Sequence, residues 1–400
     1  MNTAFIIAEY NPFHNGHQYH LQKTAALGAD RKICIMSGNF VQRSEAAAAD
    51  KFLRAKTAIL GGADLVLELP VKFAVSNAKW FASGAVEIIR ATGINGFISC
   101  GASASAEQLS KLSRYLCDEE IRLKIRELCE NSGLSFPAAQ YRFIRDNISE
   151  NAAELLLDPN NVLALEYLKA AQKKEPPIPL FTVERKNTAH DSMLPAENTA
   201  SAKYIRTALC TEKGFSAVAD YIPEAVLQEL LSAFKNGRFS INSDNFNTAA
   251  MSRLYTLTAA DFLEIENVKQ GLENKIIKAL QNSVSLNELY DNIKSKRYTH
   301  SRIRQIIISA ALGVKKTDLQ TGASFIRVLA FNDKGRELIR EIKKNSSLPV
   351  ITNISELKDC REASRDSELS LLADKLYNLC LPNPEPLKKL IVRHAQYIKS

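Results

Sequence analysis

The sequence predicts an α/β fold: a Rossmann-like doubly wound parallel sheet followed by a mainly helical C-terminal domain. Three observations carry this. Four short apolar runs alternate with helical stretches in the first hundred residues. A fifth apolar run follows a proline-rich breaker at residues 174–179. Beyond residue 215, helical spacing dominates through residue 311. Short strands alternating with helices imply βαβ units and a sheet covered on both faces. Right-handed crossovers then place ligands beyond the carboxyl ends of the strands.

The elements follow in order. Residues 4–8 read as the first strand, residues 10–16 as a turn-rich loop, and residues 18–27 as a helix. Residues 32–36 form a second strand. An Ala-rich helix is expected over 46–60, closed by Gly61-Gly62. A third strand at 65–69 is stopped by Pro70, a helix follows at 76–91, and a fourth strand at 96–100. Residues 107–173 are mainly helical, residues 180–184 a strand, and residues 199–209 a capped helix. A smaller unit is expected near the end, with strands at 324–331 and 349–352 around a helix at 335–344. A chain of 400 residues exceeds one ordinary core, which predicts a first domain over 1–212 and a second over 213–400.

Composition narrows the class. Apolar residues make up 46% and charged residues 24%, the balance of a soluble globular protein. No apolar run reaches 18 residues, so no membrane helix is expected. The N-terminus lacks a basic segment and Glu9 cuts its apolar run, so it reads as a strand and not a signal peptide, and the expected location is cytoplasmic. Seven scattered cysteines without a C-x-x-C pair speak against a disulfide framework or a zinc site. The formal charge of +8 is compatible with a nucleic-acid partner but does not require one.

The informative segment is Ala8-Glu9-Tyr10-Asn11-Pro12-Phe13-His14-Asn15-Gly16-His17. Two histidines flank a glycine directly after strand one, where a helix begins. A helix N-terminus offers free N–H groups and positive dipole, a seat for phosphate. Gly16 lets the main chain approach a ligand closely. His14 and His17 supply hydrogen bonds to phosphate oxygens and stabilise charge as pyrophosphate leaves. Such transfer needs positioning and charge neutralisation more than a protein nucleophile. A zinc reading is weak because no third ligand sits nearby at a usual spacing.

At these residues the sequence resembles a known group. The H-x-G-H loop is the signature of the nucleotidyltransferase superfamily. The longer string from Glu9 to His17 is similar to the bacterial tRNA(Met) cytidine acetate ligase family. The segments 36–43, 62–70, 159–169, 296–304, 327–332 and 348–352 also resemble that family, so the likeness spans nearly the whole chain.

The resemblance implies a reaction. Acetate attacks the α-phosphorus of ATP, giving acetyl-adenylate and pyrophosphate; the exocyclic amine of the wobble cytidine in elongator tRNA(Met) then takes the acetyl group, giving N4-acetylcytidine. It implies that ATP is held by Ile7, Ala8, Glu9, Tyr10, Asn11, Pro12, Phe13, His14, Asn15, Gly16, His17 and His20, with His14 and His17 catalytic. Gly101 after strand four, Asn160, Arg185, Ser201 and Arg206 complete the nucleotide contacts. Residues 199–206 resemble the superfamily's second phosphate motif. Residues 294–304 hold five Lys or Arg and Tyr298 in eleven positions, which suits phosphate contact and base stacking. Lys296, Arg297, Arg302 and Arg304 are the expected tRNA contacts. ATP is expected as its magnesium complex, without a dedicated carboxylate cage. The partners are then tRNA and acetate, with no membrane and no obligate protein partner.

The pattern departs from the family at four places. Ser44-Glu45-Ala46-Ala47 stands where Gly-Glu-Pro-Ala is usual, Ser103 where an acid is usual, Lys203-Tyr204 where Thr-Ala is common, and Ala164 where a glycine is usual. The missing acid after Gly101 and the Lys203-Tyr204 pair lend slight weight to the alternative, a divergent nucleotidyltransferase moving AMP or CMP to a small phosphorylated metabolite.

Overall fold

The computed structural model describes residues 2–184, 200–239, 243–295, 298–357 and 364–399. The central sheet contains β1 (Thr3–Ala8), β2 (Arg31–Ser37), then, after a small hairpin of β3 (Phe40–Val41) and β4 (Glu45–Ala46), β5 (Leu65–Leu69), β6 (Gly96–Ala102) and β7 (Leu180–Glu184). The C-terminal half adds β8 (Ile326–Phe331), β9 (Val350–Ile351) and β10 (Gln396–Tyr397). The spatial order is β10-β8-β5-β2-β1-β6-β7, with β9 beside β8.

The strands from β5 to β7 are parallel along this order, as expected from the βαβ alternation. β8 runs antiparallel to β5, so the sheet is mixed. The smaller unit expected near residues 324–352 is therefore not a separate sheet. Its main strand extends the sheet built by the N-terminal residues.

Alternation along each strand explains the layering. Phe5, Ile33, Ile35, Leu65 and Leu67 face one core with the helix Ala78–Ala91. Ala4, Ile6, Cys34, Met36 and Val66 face the other with Phe52 and Ala55. Both faces are apolar because helices cover both, which is why these strands read as nearly continuous apolar runs.

Helix α1 (Asn15–Ala26) follows the loop after β1, and α2 (Lys51–Leu60) follows the hairpin. The Ala-rich helix expected over 46–60 starts late. Asp50 caps α2, accepting bonds from the N–H groups of Phe52 and Leu53 at 2.9 Å each. Residues 46–49 instead finish the hairpin and run through the core, where Ala47 N–H donates to Asn39 O at 3.0 Å and Ala48 N–H to Asn11 Oδ1 at 2.8 Å. Alanine's helix propensity yields there to tertiary hydrogen bonding. The helix expected over 76–91 likewise begins only after its cap, Asn77. Among the described residues Cys34, Cys100 and Cys380 are buried, Cys129 is half-buried, and Cys117 and Cys210 are exposed. No described helix is long and apolar enough to cross a membrane.

Candidate active site

The loop between β1 and α1 sits at the carboxyl edge of the sheet, next to β2 and β6. His14 is the N-cap of α1 in extended conformation, with φ −147°. Its Nδ1 accepts the N–H of Gly16 at 3.1 Å, while His17 Nδ1 accepts the N–H of His14 at 3.3 Å. The pair forms a capping box made of imidazoles, and the two rings stack with centroids 3.7 Å apart.

This arrangement sets the tautomers. With each Nδ1 accepting a main-chain N–H, a neutral ring at either position carries its proton on Nε2. On each neutral ring the N–H then lies on the edge opposite the cap. Gly16 has a second reason to be glycine: a Cβ there would lie 2.9 Å from His14 Cε1. Any side chain at 16 would push the imidazole out of its cap.

The loop is held from beneath. Tyr10, in the left-handed region at φ 47°, turns its ring into the core, and its hydroxyl lies 3.3 Å from Cys34 Sγ. Tyr10 and Phe13 pack against the His17 ring at 4.9 and 5.6 Å between centroids. Phe13 is fully buried against Gly61, where a Cβ would come within 2.1 Å of its ring. Thus Tyr10 and Phe13 brace the histidines with side chains that face inward. Pro12 is buried with them, while Ile7 and Ala8 end β1 half-buried. Asn15 Nδ2 donates to Asp220 O at 2.8 Å, tying the start of α1 to the later helices.

The other expected segments converge on the same edge. His20 Nε2 lies 3.0 Å from Ser99 Oγ on β6, two residues before Gly101. Asn160 is not itself the cap of its helix. Asp158 is, bonding both the N–H and the Nδ2 of Asn160 through Oδ1 at 2.8 and 3.0 Å. Asp158 Oδ2 also accepts from Ser103 Oγ at 2.7 Å, so a carboxylate stands beside Ser103 in place of one at position 103. Ser201 caps the helix Ala202–Ala208 as expected, accepting the Tyr204 N–H at 3.1 Å. Arg206 Nη1 donates to Asn11 O at 2.8 Å and its Nη2 lies 3.2 Å from Glu45. The second phosphate segment is thereby anchored to the first. Arg185 lies outside the described residues.

Several participants escaped the sequence reading. Arg54, fully buried on α2, donates to the carbonyls of Glu9, Ser37, Gly38 and Ala49. It fixes the two loops that leave β1 and β2. Its signal was a lone arginine in an apolar, Ala-rich stretch. Asn161, 1% exposed, accepts the N–H groups of Ser103 and Ala104 at 3.2 Å each and sets the turn after Gly101. Glu9 accepts the Gln42 N–H at 2.7 Å. Burial pushes its carboxyl above the usual carboxylate range; the Gln42 bond opposes this, Glu45 adds to it, and Arg54 and Arg206 oppose it. Ser44, at the glycine position, takes φ 56°, which explains why glycine suits that turn.

The basic segment is less uniform than its composition. Arg302 Nη2 donates to Asn267 O at 3.0 Å, and its guanidinium sits 5.1 Å over the Tyr298 ring. Tyr298 is only 8% exposed, so it is not the stacking platform that the sequence suggested. Burial of the ring under Arg302 overrides the pattern. Arg304 is exposed, with its guanidinium 5.6 Å over buried Tyr290. Lys296 and Arg297 lie outside the described residues. Among the described residues no group of three His, Cys, Asp or Glu is placed to hold a metal ion.

Comparison with known proteins gives the family. A family model described as HIGH Nucleotidyl Transferase matches residues 1–390. The tRNA(Met) cytidine acetate ligase of Thermoanaerobacter sp. (strain X514) is 40% identical over 390 residues, 96% of each chain. That of Caldanaerobacter subterraneus subsp. tengcongensis is 39% identical over 391 residues, again 96% of each chain. The crystal structure of Thermotoga maritima TmcAL (apo, form I) is similar over 100% of both chains, with TM-score 0.93 at 30% identity. The same protein bound with alpha-thio ATP (form II) matches over 100% of both chains with TM-score 0.90 at 29% identity.

Proposed function

Because the chain belongs to the HIGH nucleotidyl transferase family and, within it, to the tRNA(Met) cytidine acetate ligases, we propose that it activates acetate with ATP and acetylates the wobble cytidine of elongator tRNA(Met). The observation that carries this reading is the imidazole capping box. It supports the reading because its two imidazoles cap the helix N-terminus that follows β1, at the sheet edge where a doubly wound fold receives nucleotides.

The chemistry proceeds in two steps. An acetate oxygen attacks the α-phosphorus, the bond from that phosphorus to the bridging oxygen breaks, and pyrophosphate leaves. The Nε2–H groups of His14 and His17 bond the phosphate oxygens as negative charge builds up. The N4 amine of cytidine then attacks the acetyl carbon, AMP leaves with its oxygen, and the amine releases a proton. Neither step requires a protein nucleophile; both require the reactants held in line. Gly101 and Asn160 flank the nucleotide, and Ser201 caps the helix that carries Arg206 to the loop. Magnesium would arrive with ATP and would supply charge neutralisation on its phosphates. ATP supported in this pocket is consistent with the alpha-thio ATP complex of the Thermotoga maritima protein. We also keep the division into domains at about residue 212, with β8 and β10 reaching back into the first sheet.

The test is direct. Purified protein is incubated with ATP, labelled acetate and tRNA(Met), and the nucleosides are separated by mass spectrometry. N4-acetylcytidine is expected only when all three are present. Absence of product together with absence of acetate-dependent exchange of pyrophosphate into ATP overturns the reading, and a phosphorylated-metabolite screen then tests the alternative transfer of AMP or CMP.

A further inference from the structure

Lys51, Glu68, Arg327 and Asp374 are buried together with Asn39, and the chemistry proposed above uses none of them. Buried charges persist only when paired and hydrogen-bonded, and here two cations meet two anions. Lys51 opens α2, Glu68 lies on β5, Arg327 on β8, and Asp374 on the helix Ser364–Leu379. Lys51 Nζ lies 2.7 Å from Glu68 Oε1 and sits between both Asp374 oxygens, at 2.7 and 2.9 Å. Arg327 Nη1 lies 3.4 Å from Glu68 Oε2 and 3.4 Å from Asp374 Oδ2. Asn39, in the loop that leaves β2, donates from Nδ2 to Asp374 Oδ1 at 2.9 Å and accepts the Lys51 N–H through Oδ1 at 2.8 Å. One carboxylate from the C-terminal half thus fixes the start of the hairpin and the start of α2 together. Phe40, next to Asn39, meets Tyr377 of the same helix with ring centroids 6.4 Å apart.

The segment anchored in this way reaches the histidine loop at three points. Gln42 N–H donates to the Glu9 carboxylate at 2.7 Å, and Ala48 N–H to Asn11 Oδ1 at 2.8 Å. Arg54, on α2 just beyond Lys51, donates to the carbonyl of Glu9. We propose that Asp374 is a positioning residue of the nucleotide site: it holds Asn39 and Lys51, and through residues 39–54 it holds Glu9 and Asn11 at the head of the histidine loop. The inference rests on the ATP-binding reading above and deepens it, because it makes that site depend on a helix of the C-terminal half. Asp374 acts through its neighbours, since its bonds go to Asn39, Lys51 and Arg327. A second buried pair on the same helix supplies the contrast. Asp366 lies 2.8 Å from Lys72 Nζ, and Lys72 otherwise bonds Thr321 and Gly322, away from the histidine loop.

The experiment compares Asp374→Asn with Asp366→Asn in the full chain. Each removes one buried negative charge from the same helix, so both should lower the Tm. ATP affinity is read by titration without acetate or tRNA, and kcat/KM for ATP by acetate-dependent pyrophosphate exchange, both well below either melt. Asp374→Asn is expected to lower both quantities about tenfold, and Asp366→Asn less than about twofold. Combining Asn39→Asp with Asp374→Asn returns the charge to the cluster and keeps the bond between positions 39 and 374 in reverse. That pair should restore ATP affinity to within about threefold of the parent. Unchanged ATP affinity in Asp374→Asn overturns the proposal. So does an equal loss in Asp366→Asn, which would reduce Asp374 to general stability. Should Asp374→Asn fail to fold, Asn39→Ala decides, since it leaves the four charges paired: affinity about fivefold weaker is expected, and no change overturns the proposal. A parent that binds ATP but makes no N4-acetylcytidine fails the activity reading alone, and the affinities still decide the role of Asp374. A parent that binds no ATP overturns both.

Discussion

The histidine loop and the basic segment were both read from about ten consecutive residues, yet they fared differently. In the loop, the bonds that orient the two imidazoles run between residues two or three apart: His14 to Gly16 and His17 to His14. Such relations are set by helix capping, a local rule. In the basic segment, burial is decided by distant partners. Arg302 finds Asn267, Tyr298 is covered, and Arg304 alone of that described pair of arginines faces outward. Spacing predicts what neighbours do to each other; it does not predict what the rest of the fold does to a charge.

The comparison can be broken first at the histidines. His14→Ala and His17→Ala should each lower the rate of acetate-dependent pyrophosphate exchange by about 10²–10³-fold. His14→Asn keeps a side-chain acceptor for the Gly16 N–H, so it should recover most of the about 1 kcal/mol of capping stability without recovering rate. Thermal melts alongside exchange assays check both, and a rate restored by asparagine would reduce His14 to a cap.

Next in size is the support beneath the loop. Gly61→Ala places a methyl against the Phe13 ring, so stability should fall by about 1–3 kcal/mol and ATP affinity with it. A chemical melt and a nucleotide titration measure the two. An unchanged affinity would mean that Phe13 does not brace His17.

The basic segment should then separate into two kinds of arginine. Arg302→Ala is expected to cost about 1 kcal/mol of stability through its lost hydrogen bond and ring contact. Arg304→Ala should leave the melt unchanged and raise the KM for tRNA. Equal effects on the melt would remove the distinction.

The smallest effect concerns Glu9. Its carboxyl is raised in the folded state, so its protonated form contributes stability at low pH that is lost as pH rises through the folded value. Glu9→Gln can keep the oxygen that accepts the Gln42 N–H while removing the buried charge. The Tm gain over the parent should therefore be largest near pH 8 and vanish toward pH 4. A gain independent of pH would contradict the burial argument.

Much of the first sheet was legible because its strands are buried on both faces and therefore read as apolar runs. The antiparallel β8 was visible as a strand, but its place beside β5 was not, since no local pattern names a partner across 260 residues of chain. Ser201 was legible as a cap because its bond to the Tyr204 N–H spans three residues. Asn161 and Arg54 were not, because each bonds main-chain groups brought near only by the fold. The hairpin was hidden for another reason: two-residue strands leave too short an alternation to read, and alanines 46–49 mimic a helix.

The central claim is that two neutral imidazoles, held by their own cap, grip the triphosphate. A crystal of the chain soaked with a non-hydrolysable ATP analogue tests it most directly. The account predicts Nε2 of both His14 and His17 within about 2.7–3.2 Å of phosphate oxygens, with the Nδ1 caps intact. A triphosphate bound elsewhere, or rings flipped so that Nδ1 meets the phosphate, would contradict it.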